Sequence, residues 1–500
     1  MIMLHKINRK FRSGAVTASF IIIQFFSFAH DLFAQQITVS VNWNNILGIS
    51  KTIATLQIVG NPRLRTHSSI HDSTFHALRE LGAEYVRYVP WFPYPKLAVA
   101  ELKAPTAHET FWDFNLMDSM MNDFIEATNG HRVVINVSTI PTWLFKTDKE
   151  GSYPDDPDQV YWDYNQGTEL RDTSLKEVSE YFARVFSWYT QGGFTDELGK
   201  YHQSGHHYRI PLWEVLNEPD LEHNFSVQQY TRIYDAVVSA IKKISPSTQF
   251  VGMSLAFSND PEWFEYFLNP KNHLPGIPLD FISYHFYAVP KSDQKIDQYQ
   301  YSFFDQAEGF LNKVRYIEQI RIRLSPGTKT MINEIGSILG FDLDHIPPEY
   351  WTLSGAMYAY IFVELSRIGI EVAGESQLLG FPTQYPDVSM VSWEDGSPNA
   401  RYWVLKLLKD HFASGNQLVE TTTDGENGAL AAQAFLTPRE HCLLLINKRN
   451  RNLKVEIAGN PTIRYLDYAG QPTANEHTKT ETTGNNIIQL KPFSVVLVIF

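Results

Sequence analysis

Cysteine is almost missing: Cys442 stands alone in 500 residues, which excludes an intrachain disulfide and any cysteine-built zinc or iron–sulfur centre. The fold must be held by packing. Charge is also scarce, at 19 % of the chain, and basic charge scarcest, since 42 Lys and Arg face 55 Asp and Glu for a formal net charge of −13. A surface built to track polyphosphate is excluded as the main business of the molecule, and nucleic acid with it. Long apolar runs are lacking beyond the first 34 residues; the next most apolar stretch, Val495 to Phe500, falls far short of the ~20 residues of a membrane span. There are no internal repeats and no low-complexity linker. Aromatic rings are abundant instead: 11 Trp, 25 Tyr and 32 Phe make 14 % of the chain, more than an ordinary core needs, and rings suit the flat apolar faces of ligands.

The N-terminus carries Lys6, Arg9, Lys10 and Arg12, then an apolar run from Ala15 to Phe28, then Phe33-Ala34-Gln35. This is the layout of a secretory signal peptide, residues 1–34, with cleavage expected after Ala34 and a secreted or periplasmic destination. An uncleaved anchor is the competing reading, because Leu32 is larger than the usual residue at that place; against it, His30 and Asp31 interrupt the run before it reaches spanning length. Loss of this segment, with four basic and one acidic side chain, takes the net charge from −13 to −16.

From about residue 50 to 415, short β-branched or aromatic runs alternate with long helical patterns, as in repeated βα units around a parallel sheet. Strands are expected at Thr55–Val59, Tyr85–Val89, Arg132–Val137, Leu212–Leu216, Gln249–Met253, Phe281–His285, Thr328–Asn333 and Ser389–Trp393. Helices are expected at Asp113–Ala127, at Ser174–Thr190 behind a capping box of Ser174 and Glu177, at Val227–Ile244 and at Tyr350–Ile368. Eight such units predict a (β/α)₈ TIM barrel over residues 35–415 rather than an open sheet, because Val59-Gly60-Asn61-Pro62 is not a glycine-rich phosphate turn. Beyond it, residues 416–500 read as an all-β sandwich of short strands between Thr, Asn and Gly turns, with Ile37–Val41 a possible strand of the same domain. The two domains are expected to pack closely.

Functional side chains of such a barrel lie at the C-terminal strand ends. Two acids stand there: Glu218, in Leu212-Trp-Glu-Val-Leu-Asn-Glu-Pro219, and Glu334, in Met331-Ile-Asn-Glu-Ile-Gly-Ser337. An ionisable group at the exit of an apolar strand is unfavourable unless it is partnered or used. Counted along the chain they follow the fourth and seventh strands, across the barrel mouth from each other. Paired carboxylates across a cleft suit glycosidic hydrolysis, in which one donates a proton to the leaving oxygen and the other attacks or stabilises the anomeric carbon.

With these residues the chain resembles the clan A retaining glycoside hydrolases, and within them glycoside hydrolase family 39, the β-xylosidase and α-L-iduronidase family. The resemblance runs through Leu81-Gly-Ala-Glu-Tyr-Val-Arg-Tyr88, Trp112-Asp-Phe114, Ile140-Pro141, Trp213-Glu-Val-Leu-Asn-Glu-Pro-Asp220, Asp280-Phe-Ile-Ser-Tyr-His-Phe-Tyr287 and Ile332-Asn-Glu334. It implies a general acid/base at Glu218, a nucleophile at Glu334, a contact from Asn217 to the sugar 2-hydroxyl, contacts from His285 and Tyr287 to sugar and nucleophile, and a stacking floor at Trp393. Asn217 otherwise caps a turn, His285 is otherwise a satisfied barrel-top histidine, and Trp393 is otherwise core. Arg87 either steers the nucleophile's charge or anchors a neighbouring acid. The chain departs from the family shortly after that arginine, reading Tyr88-Val-Pro-Trp91 where members carry a histidine. No metal or cofactor is implied.

Weaker signals surround these. His202, His206 and His207 resemble a metal cluster but read better as a polar loop, and Asp155, Asp156 and Asp158 read as a solvated turn rather than a calcium site. Tyr153, Tyr161, Trp162 and Tyr164 either wall a sugar cleft or cover the barrel rim. Glu394 is a rival acid beside Trp393. The expected function is an exported retaining glycosidase acting on a carbohydrate, preferably a neutral pentose or hexose; the competing readings are a catalytically silent carbohydrate-binding barrel and a transglycosylase with the same residues.

Overall fold

Eight short strands pair in parallel, each with the next, and the last returns to the first to close a barrel. They are β1 (Ile53–Val59), β2 (Val86–Val89), β3 (Val133–Ile135), β4 (Leu212–Glu214), β5 (Gln249–Leu255), β6 (Phe281–Ala288), β7 (Lys329–Ser337) and β8 (Val372–Glu375). This computed structural model describes residues 36–147, 151–164, 167–291, 294–339, 346–380, 386–425, 428–459, 461–469, 478–481 and 486–500. The leader expected at 1–34 lies outside them. A helix follows every strand, from His71–Leu81 after β1 to Ala400–His411 after β8.

The (β/α)₈ class is borne out, and seven of the eight expected strands are present. The eighth needs correction. β8 is Val372–Glu375, whereas Ser389–Trp393 is a turn region with an isolated bridge between Val391 and Pro398. The true strand is four residues with a glycine at its centre, too small and too short to show a strand pattern. The capping box at Ser174 is also corrected: Leu175 takes a left-handed conformation (φ 63°), the helix begins at Lys176, and the Asp172 carboxylate accepts the amides of Ser174 and Glu177.

Side chains along a strand alternate with period two, so the barrel interior is built in layers. The lowest holds Tyr85, Val134, Leu212, Val251, Phe281, Met331 and Val372, an apolar plug. Two residues further on, the same strands present Arg87, Asn136, Glu214, Ser283 and Asn333, all buried. The interior therefore turns from apolar to polar within one step along the strands.

Among the described residues, the strands outside the barrel form a small antiparallel pair, Gly193–Thr195 with Tyr201–Gln203, and one nine-stranded sheet, which includes Ile37–Ile49 between Gln417–Asp424 and Leu453–Ile457. The two faces of this large sheet go to different cores. Leu443, Leu445, Val496 and Val498 join Val455 and Leu490 in the sheet's own core, while Cys442, Leu444, Ile446, Val495, Leu497 and Ile499 pack into the barrel's helical layer. Burial on both sides explains why Val495–Ile499 is continuously apolar.

Candidate active site

Arg87, at the centre of β2, is 1 % exposed, and a guanidinium has five N–H donors to satisfy there. All five are used. Nε donates to Glu214 (2.5 Å), Nη1 to Gln57 (2.5 Å) and to Glu334 (2.6 Å), and Nη2 to Asn217 (2.6 Å) and to Ser254 (3.0 Å). Both roles open for Arg87 in the sequence are thus occupied: it faces Glu334 and anchors Glu214. Glu214, fully buried, also accepts from Asn136 (2.5 Å), Ser283 (2.6 Å) and Asn333 (2.7 Å). A buried carboxylate with four donors is tolerable where a lone one is not.

Backbone irregularities aim the next layer. Pairing of β7 with β6 shifts register between Met331 and Glu334, and that of β5 with β6 between Met253 and Leu255. Such bulges redirect a side chain beside a site. Glu334 and Ser254 thereby join the interior. Ser254 and Met253 take positive φ values (46° and 77°), as do Leu216 (63°) and Glu218 (42°) at the exit of β4, conformations that cost a non-glycine residue about 1–3 kcal/mol. The Glu218 amide donates to the Ser254 carbonyl at 2.9 Å, tying the two bent segments together.

Above this lies a cleft of about 1210 Å³ whose lining includes Asn217, Glu218, His285, Tyr287 and Glu334. Glu334 accepts from Arg87 through Oε1 and from the Tyr287 hydroxyl through Oε2 (2.5 Å), and the His285 Nε2 lies 3.5 Å from Oε1. The other nitrogen of His285 is 2.8 Å from Glu218 Oε1. Burial opposes charge on both glutamates. On Glu334 the nearby His285 and Arg87 charges and the Tyr287 hydrogen bond outweigh it, holding its pKa below the ordinary carboxylate value; on Glu218 burial prevails over the His285 contact and the pKa is raised. Burial lowers the His285 pKa, but the two carboxylates beside it win and raise it overall. One acid is therefore set to hold a proton and the other to lose it.

One oxygen of Glu218, one of Glu334 and one nitrogen of His285 lie within 4.8 Å of each other, a grouping that would admit a metal ion. The donor set argues for a different use: both Glu334 oxygens already accept from Arg87 and Tyr287, so positive charge is supplied by the guanidinium. His202, His206 and His207 do not converge with one another; His202 meets Asp196 at 2.8 Å and His206 meets Asp118 at 3.4 Å. Asp158 pairs with Arg65 and with His67.

Six of the seven residues picked from the sequence are thus brought together. Trp393 is the exception: it sits in the turn after Ser389, partly buried against the helical core, and does not line the cleft. Its placement followed from the misassigned eighth strand. Glu394 is exposed beside it and also outside the cleft. The aromatic lining comes instead from Trp91, Phe92, Trp162, Tyr164, Phe257, Phe286 and Phe310, with Trp91 edge-on to Trp162 at 5.6 Å. Tyr153 and Tyr161 are not part of it. Sequence reasoning missed Gln57, Glu222, Ser254 and Ser376. It also passed over Glu214, although an acid inside an apolar strand was a signal that a buried partner must exist.

Known proteins can now be set beside this geometry. A model of glycosyl hydrolases family 39 matches residues 199–334, the segment that carries both glutamates. A β-xylosidase of Geobacillus stearothermophilus is 31 % identical over 127 residues, 24 % of this chain and 24 % of that protein; the match spans about a quarter of that relative's length. Among solved structures, a family 39 β-xylosidase from Caulobacter crescentus aligns with TM-score 0.58 at 14 % identity, over 93 % of this chain and 99 % of that one. An α-L-arabinofuranosidase from Thermotoga maritima aligns with TM-score 0.59 at 15 % identity, over 93 % and 99 %. The resemblance to family 39 drawn from the motifs is borne out, and the shared fold extends through barrel and β domain alike.

Proposed function

We propose that this protein is a retaining glycoside hydrolase with Glu334 as nucleophile and Glu218 as acid/base. One observation carries the reading: a carboxylate oxygen of each glutamate lies within 4.8 Å of the other, near the ~5–5.5 Å of retaining enzymes and short of the ~6.5–9.5 Å that leaves room for an inverting water. The opposite displacements of their pKa values support the division of roles. Glu334 attacks the anomeric carbon as the bond to the leaving oxygen breaks, and the Glu218 proton goes to that oxygen. Water then adds to the anomeric carbon of the glycosyl-enzyme; Glu218 takes its proton and the Glu334 carboxylate is released. Asn217 and Tyr287 are read as sugar contacts, and Arg87 as the cation that keeps Glu334 ionised.

A neutral pentose or hexose is the preferred substrate, because the cleft lining carries Asp163, Glu218, Glu222, Asp305 and Glu334 against Lys313 and His285. β-Xylosides come first, on the likeness of residues 199–334 to family 39 and to a named β-xylosidase. Export rests on the N-terminal charge-then-apolar order and is checked by finding the mature N-terminus at Gln35 in the secreted fraction.

The deciding experiment is a panel of aryl glycosides on wild type, Glu218→Ala and Glu334→Ala. Wild type is expected to turn over a neutral glycoside, Glu334→Ala to lose on the order of 10⁴-fold or more in kcat, and azide to restore Glu218→Ala on an activated substrate as the β-glycosyl azide. Full activity in Glu334→Ala would sink the assignment. Binding without turnover by wild type would favour a carbohydrate-binding barrel, and transfer to added sugar at the expense of hydrolysis would favour a transglycosylase.

A further inference from the structure

The cleft holds a third glutamate, one helical turn beyond Glu218, that the reaction above does not use. Glu222 Oε1 accepts two hydrogen bonds: from Trp91 Nε1 at 2.6 Å and from Asn217 Nδ2 at 2.8 Å. Asn217 is gripped from its other side by Arg87, whose Nη2 donates to Oδ1 at 2.6 Å.

The chemistry of these two neighbours removes the usual ambiguity of a side-chain amide. Arginine can only donate and an ionised carboxylate can only accept. The Asn217 carbonyl must therefore face Arg87 and its NH₂ must face Glu222; the flipped amide would set donor against donor and acceptor against acceptor at once. One Nδ2 hydrogen is committed to Glu222. The other remains to be offered from the cleft wall as a donor. Glu222 acts in the same way on Trp91: an indole has a single N–H, and with that bond occupied the ring turns only its carbon edge and face to the cleft.

We infer that Glu222 is the positioning residue that aims the Asn217 amide at the substrate, so that preference for a glycoside bearing a free 2-hydroxyl depends on Glu222 as well as on Asn217. The inference rests on the glycosidase reading and on Asn217 meeting that hydroxyl. Glu222 touches no reacting atom in this scheme. Its effect passes through Asn217.

The test compares kcat/KM for an aryl glycoside and its 2-deoxy analogue in wild type, Asn217→Ala, Glu222→Ala and Glu222→Gln. The ratio of the two substrates is measured within each protein, so a partly unfolded preparation does not change it. Wild type should favour the hydroxylated sugar. That preference is expected to fall about tenfold or more in Asn217→Ala and by a similar factor in Glu222→Ala, the weight of one hydrogen bond in a charged network. Glu222→Gln, whose carbonyl can still accept from Asn217, should recover most of it. A loss in Asn217→Ala with no loss in Glu222→Ala overturns the role of Glu222 and leaves the role of Asn217 standing. An unchanged ratio in Asn217→Ala overturns both, while the Glu334→Ala result above judges the glycosidase reading separately.

Discussion

Tyr287 shows how a single hydroxyl adds to the His285 and Arg87 charges in holding Glu334 ionised. Its own pKa lies well above the usual phenol value, pushed there first by burial and then by the Glu334 charge, so it stays a neutral donor. On the proposed mechanism, turnover needs Glu334 ionised and Glu218 protonated. Because the first pKa is depressed and the second raised, kcat/KM should follow a bell whose acid limb lies below the ordinary carboxylate range and whose alkaline limb lies above it. Removing the Tyr287 donor takes away one of the contacts that favour the charged form of Glu334. Tyr287→Phe is therefore expected to move the acid limb to higher pH, with a smaller change in the alkaline limb; a pH–rate profile measures both. An acid limb that stays in place would show that Arg87 and His285 alone hold Glu334 ionised.

At the scale of the element, the start of the helix Lys176–Thr190 separates two capping residues. Asp172 holds the amides of Ser174 and Glu177 while Ser174 meets only that of Lys176, at 3.4 Å, and hydrogen bonds from Ser174 and from the backbone depress the Asp172 pKa. Asp172→Ala should cost about 1 kcal/mol and Ser174→Ala much less, read from denaturant midpoints at neutral pH. A group whose pKa is depressed on folding contributes above its unfolded value and loses that contribution as pH falls through the folded one. The difference between Asp172→Ala and wild type should accordingly shrink on acidification below about pH 4.

The same helix shows what a sequence can carry at this level. Its apolar stripe was legible because it is local, and so were the long runs of β5 and β6. The cap was not, because Leu175 breaks the helical backbone at a place where sequence spacing assumes regular geometry. β8 was hidden for another reason: Val372-Ala-Gly-Glu375 needs its neighbours β7 and β1 to be a strand at all. The site divides along the same line. Glu218, Glu334, Asn217, His285 and Tyr287 stand at ends of readable strands, whereas Gln57, Ser254 and Glu222 matter through partners 30 to 167 positions away, which no spacing displays. Arg87 was visible as a cation on the second strand that serves an acid, but its choice between Glu214 and Glu334 was not, since it takes both.

For the molecule as a whole, the β sheet is a second body in the barrel's core rather than an appendage. Leu444 is fully buried and belongs to the barrel's helical cluster, while its neighbours Leu443 and Leu445 belong to the sheet's own. Arg367, near the end of the helix Pro348–Ile368, adds bonds across the junction to Gln433 (2.8 Å) and to the Ala432 carbonyl (3.1 Å). Leu444→Ala is expected to lower stability by about 2–5 kcal/mol and to lower one calorimetric transition shared by both parts. Two separable transitions, with only one of them shifted, would contradict the shared core.

That interlock also bears on motion. Among the described residues, none that lines the cleft comes from the nine-stranded sheet, and the sheet is fastened to the helices behind the barrel through alternate side chains of two strands. A clam-shell swing of one body against the other would have to pull those side chains out of a packed core, so it is not available as a way to admit substrate or release product. Whatever gating turnover requires must be accomplished by the segments that follow the barrel strands, and changes in the β sheet should alter how long the enzyme lasts without altering how fast it works.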